Sequence, residues 1–308
     1  MDEMILLMGH GSRDPDGVRE FLDLVAAVRD AATLERTIEA GVLEFSRPGV
    51  PSIQAAIDRC VALGAHRVLA VPVLLFNAGH AKEDMPEQVT YARARHPGLD
   101  LRLAQPLGLH RSLLEIVEER LGELEHQLSM ARPEETAVLL VGRGTSDAAA
   151  NGDLFKLGRL LWERNRYGMV ECCFSGMTQP LVPAGIDRCV RLGVRRVLVI
   201  PYFLNTGVLV KRIHSQVRAA QEAYPDVEIT TGGHLGVHPK LVQVILAQAA
   251  ALATKPPEPD GLVERTWRSA HAEVPHQHGQ HDHAPHDLLN FVGNHDRRDE
   301  TIPTDRDE

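Results

Sequence analysis

The chain has 308 residues, 44% hydrophobic, 24% charged and 4% aromatic, globular proportions that exclude wholesale disorder, collagen and coiled coil. A formal charge of −9 with so few aromatics argues against a nucleic-acid partner, which needs clustered Lys and Arg and, for single strands, stacking rings. The longest apolar run, residues 68–76, contains Pro72 and falls far short of the about 20 residues a membrane span requires. The start, Met1-Asp2-Glu3, is acidic where a signal peptide is basic. The four cysteines show no CxxC spacing, as in a reducing compartment. The chain is therefore expected to be cytoplasmic, with no membrane partner, and a monomer.

In chain order, residues 4–8 read as a buried strand ending in a glycine turn. Residues 16–32 read as a helix, with Val18, Phe21, Leu22, Val25 and Val28 at helical spacing. Residues 41–45 are expected to be a second strand. A helix follows over 51–63, with Pro51 near its start and Gly64 just past its end. The continuously apolar stretch 68–75 suits a parallel strand covered on both faces. A helix over 82–96, a strand over 99–104 and a closing helix over 111–128 complete the unit.

The unit then recurs. Residues 57–72, IDRCVALGAHRVLAVP, match 186–201, IDRCVRLGVRRVLVIP, at eleven of sixteen positions without a gap. The match extends from Gly9-His10-Gly11 to Gly142-Arg143-Gly144 and from Asn77 to Asn205. Alternating strands and helices predict an α/β fold of two tandem, flavodoxin-like, doubly wound parallel-sheet domains from an internal duplication. The expected boundaries are 1–131 and 136–254, with 132–135 as linker. Ligands of such sheets lie at the carboxyl ends of the strands. Residues 255–308 carry 12 Asp and Glu, 6 Lys and Arg, and 7 of the 16 histidines; this tail is expected to be disordered.

Differences between the copies separate chemistry from scaffold. The glycines around His10 persist in copy two, but His10 becomes Arg143. The glycine before His80 persists as Gly207, but His80 becomes Val208. Both histidines follow a strand at its carboxyl end, which points to a shared metal or acid–base site. Taken alone, the Gly-His-Gly turn is equally a phosphate cradle or simply a tight turn. Glu44 is placed in the second strand and aligned with Glu171; it is either a ligand or proton acceptor, or a strand-end residue facing water. His110 and His238 are repeat equivalents at helix starts and read as structural. His66, His96, His126 and His214 read as solvated, with His234 a further candidate. Cys60 and Cys189 read as core filler. In the tail, His271, His276, His278, His281, His283 and His286, interleaved with Asp282 and Asp287, form a candidate reservoir for Co, Ni, Zn or Cu.

The segments MILLMGHGSRDP, LEFSRPGVPSI and VPVLLFNAGHAKEDMP resemble the class II chelatases of the CbiX type, which insert a divalent metal into sirohydrochlorin. The resemblance covers residues 4–250. It implies a tetrapyrrole in the cleft between the domains, with His10 and His80 binding the metal and assisting deprotonation, and Glu44 at the same site. Neutral imidazole serves both roles, as ligand and as base. Ser12, Arg13, Lys82 and Arg143 are the expected contacts to the ring's carboxylates. No cofactor is expected beyond the substrate metal. That metal is expected to be cobalt, with iron or nickel as alternatives. The C-terminal cysteine motif for an iron–sulfur cluster carried by some long members does not occur here. The competing readings are the iron enzyme, a metal storage or delivery protein, and a small-molecule sensor.

Overall fold

Strand β1 (Glu3–Gly9) sends alternate side chains into two different cores, the period-two geometry of a strand covered on both faces. Met4, Leu6 and Met8 pack with Ile53 and Ile57 of α2 (Ile53–Ala62) and with Met85 and Val89 of α3 (Met85–Arg95). Ile5 and Leu7 pack with Phe21, Leu24 and Val28 of α1 (Pro15–Ala31). The protein is described by a computed structural model over residues 3–32, 37–128 and 131–254. The whole histidine-rich tail lies outside the described residues, so its candidate ligands are not placed.

The first sheet joins β1 to β2 (Thr37–Val42), β3 (Arg67–Pro72) and β4 (Asp100–Leu103), all parallel, in the order β2-β1-β3-β4. Helix α4 (Arg111–Glu125) follows it. The second sheet repeats the pattern as β6-β5-β7-β8, from β5 (Thr136–Gly142), β6 (Met169–Phe174), β7 (Arg196–Pro201) and β8 (Glu228–Thr231). Its helices are α5 (Ala148–Arg164), α6 (Val182–Arg191), α7 (Val208–Ala223) and α8 (Pro239–Thr254). The predicted duplicated, doubly wound α/β architecture is present. Among the described residues no helix is long and apolar enough to cross a membrane.

The closing helices are exchanged. Helix α4, at the end of the first copy, packs on β7 and α5, whereas α8, at the end of the second, packs on β3 and α1. Polar contacts repeat the crossing with the same symmetry. Arg120 on α4 donates to the His234 and Leu235 carbonyls at 2.9 Å. Its repeat equivalent on α8, Gln248, donates to the Pro106 carbonyl at 3.3 Å. Arg102, buried at the end of the first sheet, donates to the Leu252 carbonyl at the last turn of α8, where orphan carbonyls need donors. Side chains of α1, α4, α5 and α8 thus merge into one core shared by both sheets. The linker at 132–135 divides the chain but not the packing, and all the described residues belong to one compact unit, Met1–Asp260.

Strand β2 lies earlier than predicted, and this corrects the placing of Glu44. The strand pairs Glu39 with Leu6 and ends where Val42 meets Gly9, so Glu44 sits beyond it on an exposed bend. The second sheet pairs Glu171 with Leu139 and Phe174 with Gly142. The true counterpart of Glu171 is therefore Glu39, and Glu44 corresponds to Gly176. Ion pairs agree: Arg59–Glu39 at 3.1 Å and Arg188–Glu171 at 3.4 Å join equivalent positions in the two copies. All four cysteines are buried and free. Burial pushes the Cys60 and Cys189 thiols up to about 12, which suits core filler and not a nucleophile or ligand.

Candidate active site

Three segments of each sheet converge at the carboxyl ends of the strands. After β1, β2 and β3 come the Gly9–Asp14 turn, the bend around Phe45 and the segment from Val73 to Phe76. After β5, β6 and β7 come the matching turn around Arg143, the bend around Met177 and the segment from Tyr202 to Thr206. Together they line one cleft of about 750 Å³, within the range of pockets that enclose sizeable organic ligands.

The two glycine turns are built alike. The N–H of Glu44 donates to the His10 carbonyl and that of Leu43 to the Gly9 carbonyl, both at 2.9 Å; in copy two the N–H of Ser175 donates to the Gly142 carbonyl at 2.8 Å. Gly11 has φ +97° and Gly144 φ +82°, and a Cβ on either would strike the backbone oxygen of Glu44 or Gly176. Only glycine lets the chain pass here. Arg47 clamps the same corner by donating to the Ser12 carbonyl at 2.5 Å and to the Phe45 carbonyl at 3.4 Å.

His10 lines the cleft. With its proton on Nδ1, it donates to the Gly11 carbonyl at 3.1 Å. Its Nε2 is buried in the wall. Fixing one ring nitrogen by a carbonyl so that the other can accept a metal or a proton is the usual way a protein orients a working imidazole. His80 opens a single π turn, His80–Asp84, just before α3; its side chain lies outside what is described, but Ala78, Gly79 and Ala81 around it line the same cleft. Pro86 has no N–H for the Lys82 carbonyl, and the helix widens there. In copy two α7 starts at Val208 as a regular α-helix.

The other predicted residues divide. Ser12, Arg13 and Arg143 line the cleft, and Arg143 is exposed at the position equivalent to His10. Arg13 lies 4.8 Å from the Phe45 ring centroid. Lys82 does not line the cleft; it pairs with Asp147 of the other lobe. Glu44 is likewise outside the lining, and among the described residues no three His, Cys, Asp or Glu side chains converge as metal ligands. Of the remaining histidines, His110 and His238 accept from backbone N–H groups at helix starts, as predicted. His234 bonds Glu20 at 2.8 Å. His214 is half-buried, not solvated, and burial lowers its pKa.

Sequence reasoning missed several residues. Glu83 and Asp84 line the cleft beside Asp14, so acids and arginines are mixed there, where a cationic lining was expected. Tyr202 is almost fully buried in the wall, and its hydroxyl finds no hydrogen-bond partner among the described residues; the same holds for Asn205 Oδ1. Burial raises the Tyr202 phenol, keeping it neutral. Both come from copy two, where a comparison of the strand motifs marks Val73 becoming Tyr202 as the one available signal.

Two aspartates each do two tasks. Asp14 caps α1 by accepting from Asp16 N–H at 3.0 Å and pairs across the cleft with Lys211 at 2.8 Å. Asp147 caps α5 and pairs back with Lys82. Lys211 beside Asp14, and Lys82 beside Asp147, hold those carboxyls below the ordinary value of 3.8. Their contribution is therefore present above pH 3.8 and lost as pH falls below it. Acidification through that range is expected to release these two cross-cleft pairs while the core shared by both sheets holds. Asp14→Asn, which keeps a capping oxygen but no charge, should lower the melting temperature modestly at neutral pH and by less below pH 3.8. Thermal melts of the variant and wild type at the two pH values check this.

Comparison with known proteins places these features. The CbiX family profile matches residues 4–124 and 137–252, one match per copy. A sirohydrochlorin cobaltochelatase of Priestia megaterium is 42% identical over 247 residues, 80% of this chain and 78% of that protein. A sirohydrochlorin ferrochelatase of the same organism is 28% identical over 252 residues, 81% and 90%. The crystal structure of the sirohydrochlorin chelatase SirB from Bacillus subtilis subspecies spizizenii, in complex with cobalt, superposes with a TM-score of 0.68 at 26% identity, covering 83% of this chain and 97% of that one.

Proposed function

The chain belongs to the CbiX family and is a sirohydrochlorin chelatase, and from that premise we propose that it inserts Co²⁺ into sirohydrochlorin held in the cleft between the lobes. The observation that carries this reading is His10: an imidazole lining the cleft at the carboxyl end of β1, held through Nδ1 by the Gly11 carbonyl. The higher identity to the cobalt enzyme than to the iron enzyme supports cobalt.

Insertion forms four metal–nitrogen bonds and breaks two pyrrole N–H bonds, so one divalent ion enters and two protons leave. His10 and His80 ligate the incoming ion, and as it passes to the ring nitrogens the lone pairs this frees accept the two protons. With few protein ligands, coordination positions stay open for the ring nitrogens. Glu83 and Asp84 at the mouth attract the cation, while Arg13 and Arg143 meet the ring's carboxylates. The Tyr202 hydroxyl and Asn205 offer neutral hydrogen bonds from the wall of copy two. The copies thus share the work, copy one supplying the reactive imidazoles and copy two the facing surface. The histidine–carboxylate tail acts as a reservoir that raises the local metal supply.

The test offers Co²⁺, Fe²⁺ and Ni²⁺ separately to the enzyme with sirohydrochlorin under anaerobic conditions and follows absorbance. Cobalt should give the highest kcat/KM; preference for iron overturns the assignment. Run with a chain ending at residue 254, the assay should show unchanged turnover at saturating cobalt and reduced turnover when cobalt is scarce. Equal rates at scarce cobalt would remove the tail from the scheme.

A further inference from the structure

Among the described residues, two that are not glycine have positive φ: Phe45 at 57° and Met177 at 63°. The sheet registers show that they are the same position in the two copies. Val42 pairs with Gly9 and Phe174 with Gly142, and three residues further on stand Phe45 and Met177. The left-handed region is costly for bulky side chains and free for glycine. Glycine would be the economical residue at this bend, and Gly176 shows that the neighbouring position in copy two has one. Both copies nevertheless hold a large apolar side chain in strained backbone, although the side chains differ.

Folding does not explain that choice. Met177 is 81% exposed, so it contributes little to any core. Phe45 is only half-buried, carrying the Arg13 guanidinium over its ring at 4.8 Å. Both side chains line the cleft, one from each lobe. Strained backbone that persists without a packing reason is characteristic of functional sites. Each bend also touches the glycine turn bearing the key side chain of its lobe, His10 or Arg143, through the oxygens of Glu44 and Gly176.

We propose that Phe45 and Met177 are paired apolar pads that grip the conjugated ring of the tetrapyrrole from the two lobes and set its position over His10. An aromatic ring and a thioether are the polarisable groups suited to a flat π system. Arg13, stacked on Phe45, continues that surface to a cation at the rim, where a ring carboxylate emerges. The pads recognise the macrocycle and not the ion. They determine specificity and position, and take no proton.

This rests on the reading of the cleft as a tetrapyrrole site, and the experiment keeps the two apart. Metal-free sirohydrochlorin is titrated into wild type, Phe45→Gly, Met177→Gly and the double variant, followed by absorbance; Co²⁺ alone is titrated in parallel. Relief of the strained backbone should raise the melting temperature by ~2–4 °C per site. The Kd for the macrocycle should weaken at least tenfold in the double variant, with Co²⁺ binding within twofold of wild type. Phe45→Tyr and Met177→Leu should restore macrocycle binding. Macrocycle affinity unchanged in the double variant overturns the pads alone. A fall in melting temperature would make the side chains structural and also overturn them. Wild type that binds no macrocycle overturns both the pads and the tetrapyrrole cleft.

Discussion

His10→Ala is expected to lower kcat for metal insertion by about 10²- to 10⁴-fold, the range for removing a positioned acid–base group, or about 3–5 kcal/mol of transition-state stabilisation. The fold should be untouched, because copy two builds the same turn with Arg143 at that position. The melting temperature should therefore stay within a degree or two of wild type while activity collapses. His80→Ala should behave alike, as its copy-two counterpart is Val208 in a regular helix. Glu44→Gln is the informative contrast. The carboxylate is exposed and outside the cleft lining, so its loss should cost less than tenfold. Steady-state kinetics with both substrates, alongside thermal melts, check all three. A His10→Ala enzyme with more than a tenth of wild-type kcat would remove the imidazole from the chemistry.

The second large effect concerns folding. Gly11→Ala would place a Cβ 1.9 Å from the Glu44 carbonyl oxygen at φ +97°. The contact is with backbone that is itself held by Leu43 and Glu44 N–H bonds to Gly9 and His10, so it cannot move aside cheaply. Steric strain and the left-handed conformation together should destabilise the protein by about 4 kcal/mol or more, among the largest single-residue costs. Gly144→Ala should cost a similar amount, its Cβ falling 2.2 Å from the Gly176 oxygen. Gly79→Ala, with nothing within 4 Å and no positive φ, should change stability by less than about 1 kcal/mol, although it too neighbours a motif histidine. Chemical denaturation of the three variants orders them directly. Equal midpoints for Gly11→Ala and Gly79→Ala would contradict the steric account.

Much of this was legible in the sequence because the information is local or repeated. Alternation of apolar segments with helical periodicity marked the order of strands and α-helices in the first copy, with β2 placed too late, and duplication isolated His10 and His80 by contrast. Glu44 shows where a repeat comparison fails. Two glutamates were matched by identity, whereas the strand register pairs Glu171 with Glu39 because β2 begins at Thr37 and leaves the sheet at Val42. Lys82 looked free for a substrate because nothing in its neighbourhood shows that Asp147, 65 residues away, folds against it. The left-handed backbone of Phe45 and Met177 left no mark, since glycine is the usual signal for such a turn and is absent at both. Tyr202 follows a strand motif in which its apolar neighbours draw the attention; only the packed wall reveals its hydroxyl.

The exchanged helices have a consequence for how the protein is made. Arg102, in the fourth strand, finds its acceptor on Leu252, 150 residues later. A ribosome delivers chain from the N-terminus, so the first sheet emerges long before the helix that covers one of its faces. Until residues 239–254 are out, β3 and α1 present apolar surface to water or to chaperones. The first copy is thus not a unit that can be finished and stored while the second is synthesised. Contacts this distant in sequence are slow to close. Helix α8 therefore acts as the completion step for the first lobe, the one that carries His10.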